Sequence, residues 1–119
     1  EQKKDGIFHL KQDAGGIVDI EFMAQYMVLA WSGTNQDLAH YSDNVRILED
    51  AGKAGCLPSS DVTALIQAYL SERAESHRLA LANHNMQVSA ADWHDTREVV
   101  CKLWQRLIDP TATFALESE

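Results

Sequence analysis

Apolar side chains crowd one stretch of this sequence. From Ile17 to Trp31 only Asp19, Glu21 and Gln25 are strongly polar. A segment apolar on nearly every side predicts a central, largely buried helix, closed by Ser32-Gly33. Upstream, Ile7-Phe8-His9-Leu10-Lys11 alternates apolar and polar residues in the manner of a short strand. A lone strand has no stability of its own, so its partners are expected in preceding sequence. Downstream, Val45, Leu48 and Ala51 recur at helical spacing, which predicts a second helix over 43–54 with Ser42 as N-cap and Gly55 as terminator. A third helix is expected over 59–82, capped by Ser59 or Ser60. Val62, Leu65, Ile66, Tyr69 and Leu70 form its first apolar stripe, and Ala80 and Leu81 continue it. Its middle, 71–78, reads as polar, and residues 83–88 read as a loop. A fourth helix over 90–109 carries Trp93, Val100, Leu103, Trp104 and Leu107, and Pro110 stops it. Phe114 and Leu116 follow in a short tail. The expected fold is all-α, a bundle of about four main helices around the apolar one, with a short N-terminal strand or extended segment. Short links favour an up-down arrangement in a single helical domain over residues 1–119.

Composition narrows the function classes. The 119 residues carry a net charge of −8, which argues against a phosphate-backbone footprint and so against nucleic acid. The apolar segment is too short, and interrupted by too many acids, to cross a bilayer. Cys56 and Cys101 form no CxxC pair. They read as free buried thiols of a reducing, cytoplasmic compartment. The first residue is Glu1 rather than Met, which suggests a piece of a longer chain.

Two acids in a greasy helix need an explanation, because a buried carboxylate is costly unless paired. Residues two apart on a helix point about 200° apart, so Asp19 and Glu21 cannot act as one carboxylate pair. Asp19 suits the positive end of the helix dipole. Glu21 shares a face with Gln25 and invites an ion pair from Arg46, Arg73 or Arg78. Gly15-Gly16 before a helix offers free backbone N–H groups to an anion, and Lys11 stands nearby. An ordinary strand-to-helix turn is the competing reading, and no GxxxxGK[ST] loop is present. His9, His40, His77, His84 and His94 form no HExxH motif and no compact cluster with cysteine, so no metal site is expected. His77, next to Arg78, is expected in buried hydrogen bonds. Tyr69, Trp93 and Trp104 are expected in the core. No nucleophile triad is discernible.

The block Lys11-Gln12-x-x-Gly15-Gly16-Ile17-Val18-Asp19-Ile20-Glu21-Phe22-x-x-Gln25-Tyr26 resembles the K-x-G-x-G-G-[IL]-x-D-I-E-F-x-x-Q-[YF] signature of the glutamine synthetase adenylyltransferase family. Ser42-Asp43-Asn44-Val45-Arg46-Ile47-Leu48, then Ala68-Tyr69 and His77-Arg78-Leu79, resemble its downstream blocks in the same order. The resemblance covers roughly residues 7–108. It implies an enzyme with two nucleotidyltransferase domains, each followed by a helical domain. One half attaches AMP from ATP to a tyrosine of glutamine synthetase; the other removes it by phosphorolysis. This chain resembles the helical domain of the C-terminal, adenylylating half.

That resemblance implies Mg²⁺ and ATP as cofactors of the full-length enzyme, with none expected on the fragment. The implied partners are glutamine synthetase, the PII signalling protein and an upstream nucleotidyltransferase domain. The G-S-x-x-D-x-[DE] block that holds Mg²⁺ in such enzymes is absent from these residues. No catalytic residue is therefore expected in the fragment, and it should not catalyse alone. Lys11, Asp19 and Glu21 are expected to line the cleft from the helical side, with Gly15 and Gly16 allowing close backbone approach. Asp13-Ala14 departs from the signature, which often has a further glycine there. The alternative is a regulatory or docking module for glutamine synthetase, PII or glutamine. A related uridylyltransferase is a third reading, disfavoured by the DIEF block and by the lack of a ligand-sensing domain after the last helix.

Overall fold

Apolar residues at Ile17, Ile20, Met23, Ala24, Met27 and Val28 wind one buried stripe along α1, Ile17–Trp31. The computed structural model describes residues 6–31 and 44–108, without the side chains of residues 30 and 31. Before α1 lies β1, Ile7–His9; after it come α2, Asn44–Lys53, and α3, Ser59–Leu81. The chain continues through β2, Gln87–Ser89, and a 3-10 turn, Ala91–Trp93, into α4, His94–Leu107. All four helices agree with the periodicity. The expected caps at Gly33 and Ser42, the 34–41 link, Pro110 and the tail lie outside the described residues.

The helices enclose one core. Ile20, Met23 and Met27 of α1 meet Ile47 and Leu48 of α2, Leu65 of α3, and Val100 and Leu103 of α4. Both α1 and α3 touch every other long helix, so the centre of the bundle is shared between them. The expectation that α1 is buried on nearly every side needs correction. Val18 and Phe22 are half exposed and Leu29 is exposed, so one face of α1 meets solvent despite its apolar side chains.

Three local findings refine the sequence reading. β1 finds its partner inside this chain: it pairs antiparallel with β2, setting Phe8 opposite Val88. Part of the 83–88 stretch is thus strand rather than loop. Phe8, Leu10, Leu79 and Ala90 then form a second small core under that ribbon. The start of α3 carries no side-chain cap from either serine; the Pro58 carbonyl accepts the N–H groups of Asp61 and Val62 instead. The end of α3 is a Schellman-type closure. Asn83 turns left-handed at φ 60°, His84 N–H donates to the Leu79 carbonyl, and Asn83 N–H donates to that of Ala80.

Candidate functional site

The strand-to-helix loop, 10–16, is built by its own hydrogen bonds. Leu10 N–H donates to the Met86 carbonyl at 2.9 Å, tying the loop to the ribbon. Asp13 Oδ2 accepts the His9 N–H at 2.8 Å. Four N–H groups at the start of α1 also have partners within the chain. Gly16 donates to the Asp13 carbonyl, Ile17 to Leu10 and Val18 to Lys11, at 2.8, 2.8 and 3.1 Å. Gly15 donates to Asp19 Oδ2 at 2.8 Å. These donors are therefore not left open to an anion, and the loop behaves as a structural strand-to-helix turn.

Both glycines are required by close approach within the chain. Gly15 is buried at φ +87°, and a Cβ there would lie 2.8 Å from the Cα and Cβ of Arg97. A Cβ on Gly16 would collide with the Leu10 carbonyl oxygen. The backbone thus comes close to Leu10, just after β1, and to Arg97 of α4.

Asp19 and Glu21 part company, as their helical spacing requires. Asp19 turns back under the loop to hold Gly15. Arg97 faces it from α4, only 4% exposed, with Nε donating to the Ala14 carbonyl at 2.9 Å. The Arg97 guanidinium also lies 4.3 Å from the centre of the Phe8 ring, a cation–π contact. A third charge-bearing residue, Glu72 of α3, is fully buried, and neither of its carboxyl oxygens has a hydrogen-bond partner among the described residues. Burial, with the nearby Asp19 charge adding to it and Arg97 opposing, pushes its pKa up to about 9. Burial also raises Asp19, against the Gly15 hydrogen bond and Arg97. Cys101 joins this cluster, buried and free, its thiol pushed up to about 11 mainly by desolvation. Cys56 is half buried and also free.

Glu21 points the other way, into a cleft of about 360 Å³ lined by Lys11, Ile17, Val18, Glu21, Arg73, Ser76 and His77. Tyr69, buried behind the lining, ties two of its residues together. The Tyr69 hydroxyl donates to Glu21 Oε2 at 3.1 Å and accepts from Asn44 Nδ2 and Arg73 Nη1, each at 3.2 Å. Arg73 and Glu21 are thus joined through one hydroxyl between α1 and α3. His77 is exposed, contrary to expectation, with Nε2 3.5 Å from Arg73 Nη2. Arg78 serves its own helix, binding Glu75 through two nitrogens at 3.0 and 2.5 Å. Arg46 is exposed on α2.

The structure therefore brings Lys11, Glu21, Arg73 and His77 to one cleft and sends Gly15, Gly16 and Asp19 to an adjacent buried cluster. Sequence reasoning missed Glu72 and Arg97. Both sit on apolar stripes: Leu65, Tyr69, Glu72, Ser76 and Leu79 repeat at helical spacing, as do Trp93, Arg97, Val100 and Trp104. A charged residue in register with a core stripe was the available signal.

The cleft does not fit Mg²⁺, which takes oxygen ligands, because its single carboxylate stands among cationic side chains. It does suit phosphate oxygens, through Lys11 and Arg73. Among the described residues the group that best approaches a metal-ligand set is His94, Asp95 and Glu98. It occupies the first turns of α4, where the helix dipole repels cations, and Glu98 already lies 3.6 Å from Lys102. No helix among the described residues is long and apolar enough to cross a membrane.

Residues 2–101 match the family model described as GlnD PII-uridylyltransferase. The whole chain is 82% identical over 119 residues to a bifunctional glutamine synthetase adenylyltransferase/adenylyl-removing enzyme of Acinetobacter baylyi, covering 13% of that protein. The enzyme of the same description in Pseudomonas aeruginosa is 50% identical over 84% of this chain and 10% of its own length. In Nitrosococcus oceani the corresponding figures are 41%, 92% and 11%. The chain thus spans only a small part of the relatives it matches.

Proposed function

This chain belongs to the glutamine synthetase adenylyltransferase family, and from that premise we propose that it is the helical domain behind the adenylylating nucleotidyltransferase domain. It presents its 360 Å³ cleft to the reaction centre of that neighbour. The observation that carries this reading is convergence: Lys11 and Glu21 of the signature share one cleft with Arg73 and His77. Lys11 and Arg73 give ATP phosphates two cationic donors, and charge-assisted bonds of that kind are the strong ones. Glu21, fixed by the Tyr69 hydroxyl, sets the reach of Arg73 and can accept a hydrogen bond from a ribose or tyrosine hydroxyl. Asp19, Gly15 and Gly16 act behind the cleft by holding the loop that carries Lys11. When bound by the catalytic domain, Mg²⁺ supplies charge neutralisation at the transferring phosphoryl group. The substrate is glutamine synthetase, the setting is cytoplasmic, and the 119-residue chain alone does not transfer AMP.

The exposed Val18, Phe22 and Leu29 favour a second reading for α1, as a docking face for glutamine synthetase or PII. One assay separates the two. In the full-length enzyme, Lys11→Met should raise KM for ATP at least about tenfold, the worth of one charge-assisted hydrogen bond. Glu21→Gln should lower turnover. Unchanged ATP kinetics for both variants, at saturating effectors, would eliminate the cleft role and leave docking.

A further inference from the structure

Asn44, the first residue of α2, lines no part of the cleft, yet it touches the hydroxyl on which the cleft depends. Its Oδ1 is buried and meets no hydrogen-bond donor among the described residues. A buried carbonyl left unbonded costs stability and calls for an explanation. The chemistry of the Tyr69 hydroxyl supplies one. That group has a single proton and two lone pairs. Three side chains approach its oxygen: Asn44 and Arg73, each at 3.2 Å, and Glu21 at 3.1 Å. Arg73 can only donate, and a Glu21 carboxylate can only accept. Turned the other way, the Asn44 amide would present Oδ1 and compete with Glu21 for one proton. The arrangement that satisfies all three contacts has Asn44 Nδ2 and Arg73 donating to Tyr69, and Tyr69 donating to Glu21. The amide faces the hydroxyl with its donor even though its own oxygen goes without a partner.

We propose that Asn44 is a positioning residue for the cleft: donating from α2, it fixes the direction of the Tyr69 proton and so holds the Glu21 carboxylate beside Arg73. Three helices meet at that one oxygen, Glu21 from α1, Asn44 from α2, and Tyr69 with Arg73 from α3. The placement of α2 is thereby passed to a cleft built from the 10–16 loop, α1 and α3. Without the Asn44 donor one lone pair of Tyr69 empties, and the hydroxyl is free to turn about its C–O bond. An acceptor at position 44 would go further and draw the proton away from Glu21. The link from Asn44 to AMP transfer rests on the cleft reading above; the link from Asn44 to Glu21 does not.

The test is a double-mutant cycle in the full-length enzyme. Asn44→Ala removes the donor, and Asn44→Asp replaces it by an acceptor of nearly the same shape. Each is made alone and together with Tyr69→Phe, and AMP-transfer turnover is measured. With Tyr69 in place, Asn44→Ala should lower turnover about fivefold, the worth of one neutral hydrogen bond, and Asn44→Asp should lower it further. Beside Tyr69→Phe, neither should change turnover by more than about twofold, because the oxygen through which they act is gone. A crystal structure of the Asn44→Asp enzyme should show Glu21 Oε2 withdrawn beyond hydrogen-bond distance of the Tyr69 oxygen. Equal losses with and without the Tyr69 hydroxyl would overturn the proposal. So would a milder loss for Asn44→Asp than for Asn44→Ala, the order that a packing role requires, or an unchanged Glu21–Tyr69 bond in the Asn44→Asp structure. If Asn44→Ala does not fold, Asn44→Asp in the two backgrounds decides. Normal turnover in Glu21→Gln would sink the cleft reading instead, and the Asn44→Asp structure would still decide whether Asn44 positions Glu21.

Discussion

Replacing Glu72 by Gln should stabilise the fold at neutral pH. The folded-state pKa is raised to about 9, whereas the unfolded chain titrates near 4.5. Below pH 4.5 both states hold the proton, and the wild type has its full stability. Between pH 4.5 and 9 only the unfolded chain releases it, so stability falls as pH rises, by about 1.4 kcal/mol per unit. By pH 7 this loss amounts to about 3 kcal/mol; above pH 9 it is complete. Gln does not titrate and escapes the slope. It still leaves a buried amide unsatisfied, a cost of about 1–3 kcal/mol comparable to that of the unbonded carboxyl it replaces. The net expectation is a gain of about 3 kcal/mol at pH 7 that vanishes at pH 4. Urea unfolding followed by tryptophan fluorescence from pH 4 to 9 measures it. Curves for the two proteins that run parallel across that range would refute a buried, protonated Glu72.

Two further substitutions probe the surroundings. Gly15→Ala combines a left-handed backbone with a Cβ placed 2.8 Å from Arg97, and should cost about 2–4 kcal/mol in urea unfolding. Tyr69→Phe removes the hydroxyl that joins Asn44, Arg73 and Glu21; a loss of about 1–2 kcal/mol in the same assay is expected, with lower AMP-transfer turnover in the full-length enzyme.

Helical periodicity made most of this fold legible. The bounds of α1 follow directly from its run of apolar residues, and α3 ends within a residue of expectation. The ribbon was harder to see. β2 is three residues long, and only Val88 of Gln87-Val88-Ser89 is apolar, so its pairing depends on β1 arriving from eighty residues away rather than on local pattern. The solvent-facing side of α1 was hidden for a related reason, since Val18 and Phe22 look like core to any periodicity argument. In the site, the divergence of Asp19 from Glu21 was readable from helix geometry alone. What each would touch was not, because Arg97 and Tyr69 arrive from distant helices. Glu72 was lost in the polar middle of α3, although its register with Leu65, Tyr69 and Leu79 marks it as an inward-facing acid.

In the proposed function, Lys11 and Glu21 face the nucleotide during AMP transfer. A structure of the full-length enzyme with a non-hydrolysable ATP analogue tests it most directly. Lys11 Nζ and the Glu21 carboxylate should lie within direct or single-water hydrogen-bond reach of the analogue. A nucleotide bound with this cleft turned away, and Lys11 open to solvent, would contradict it.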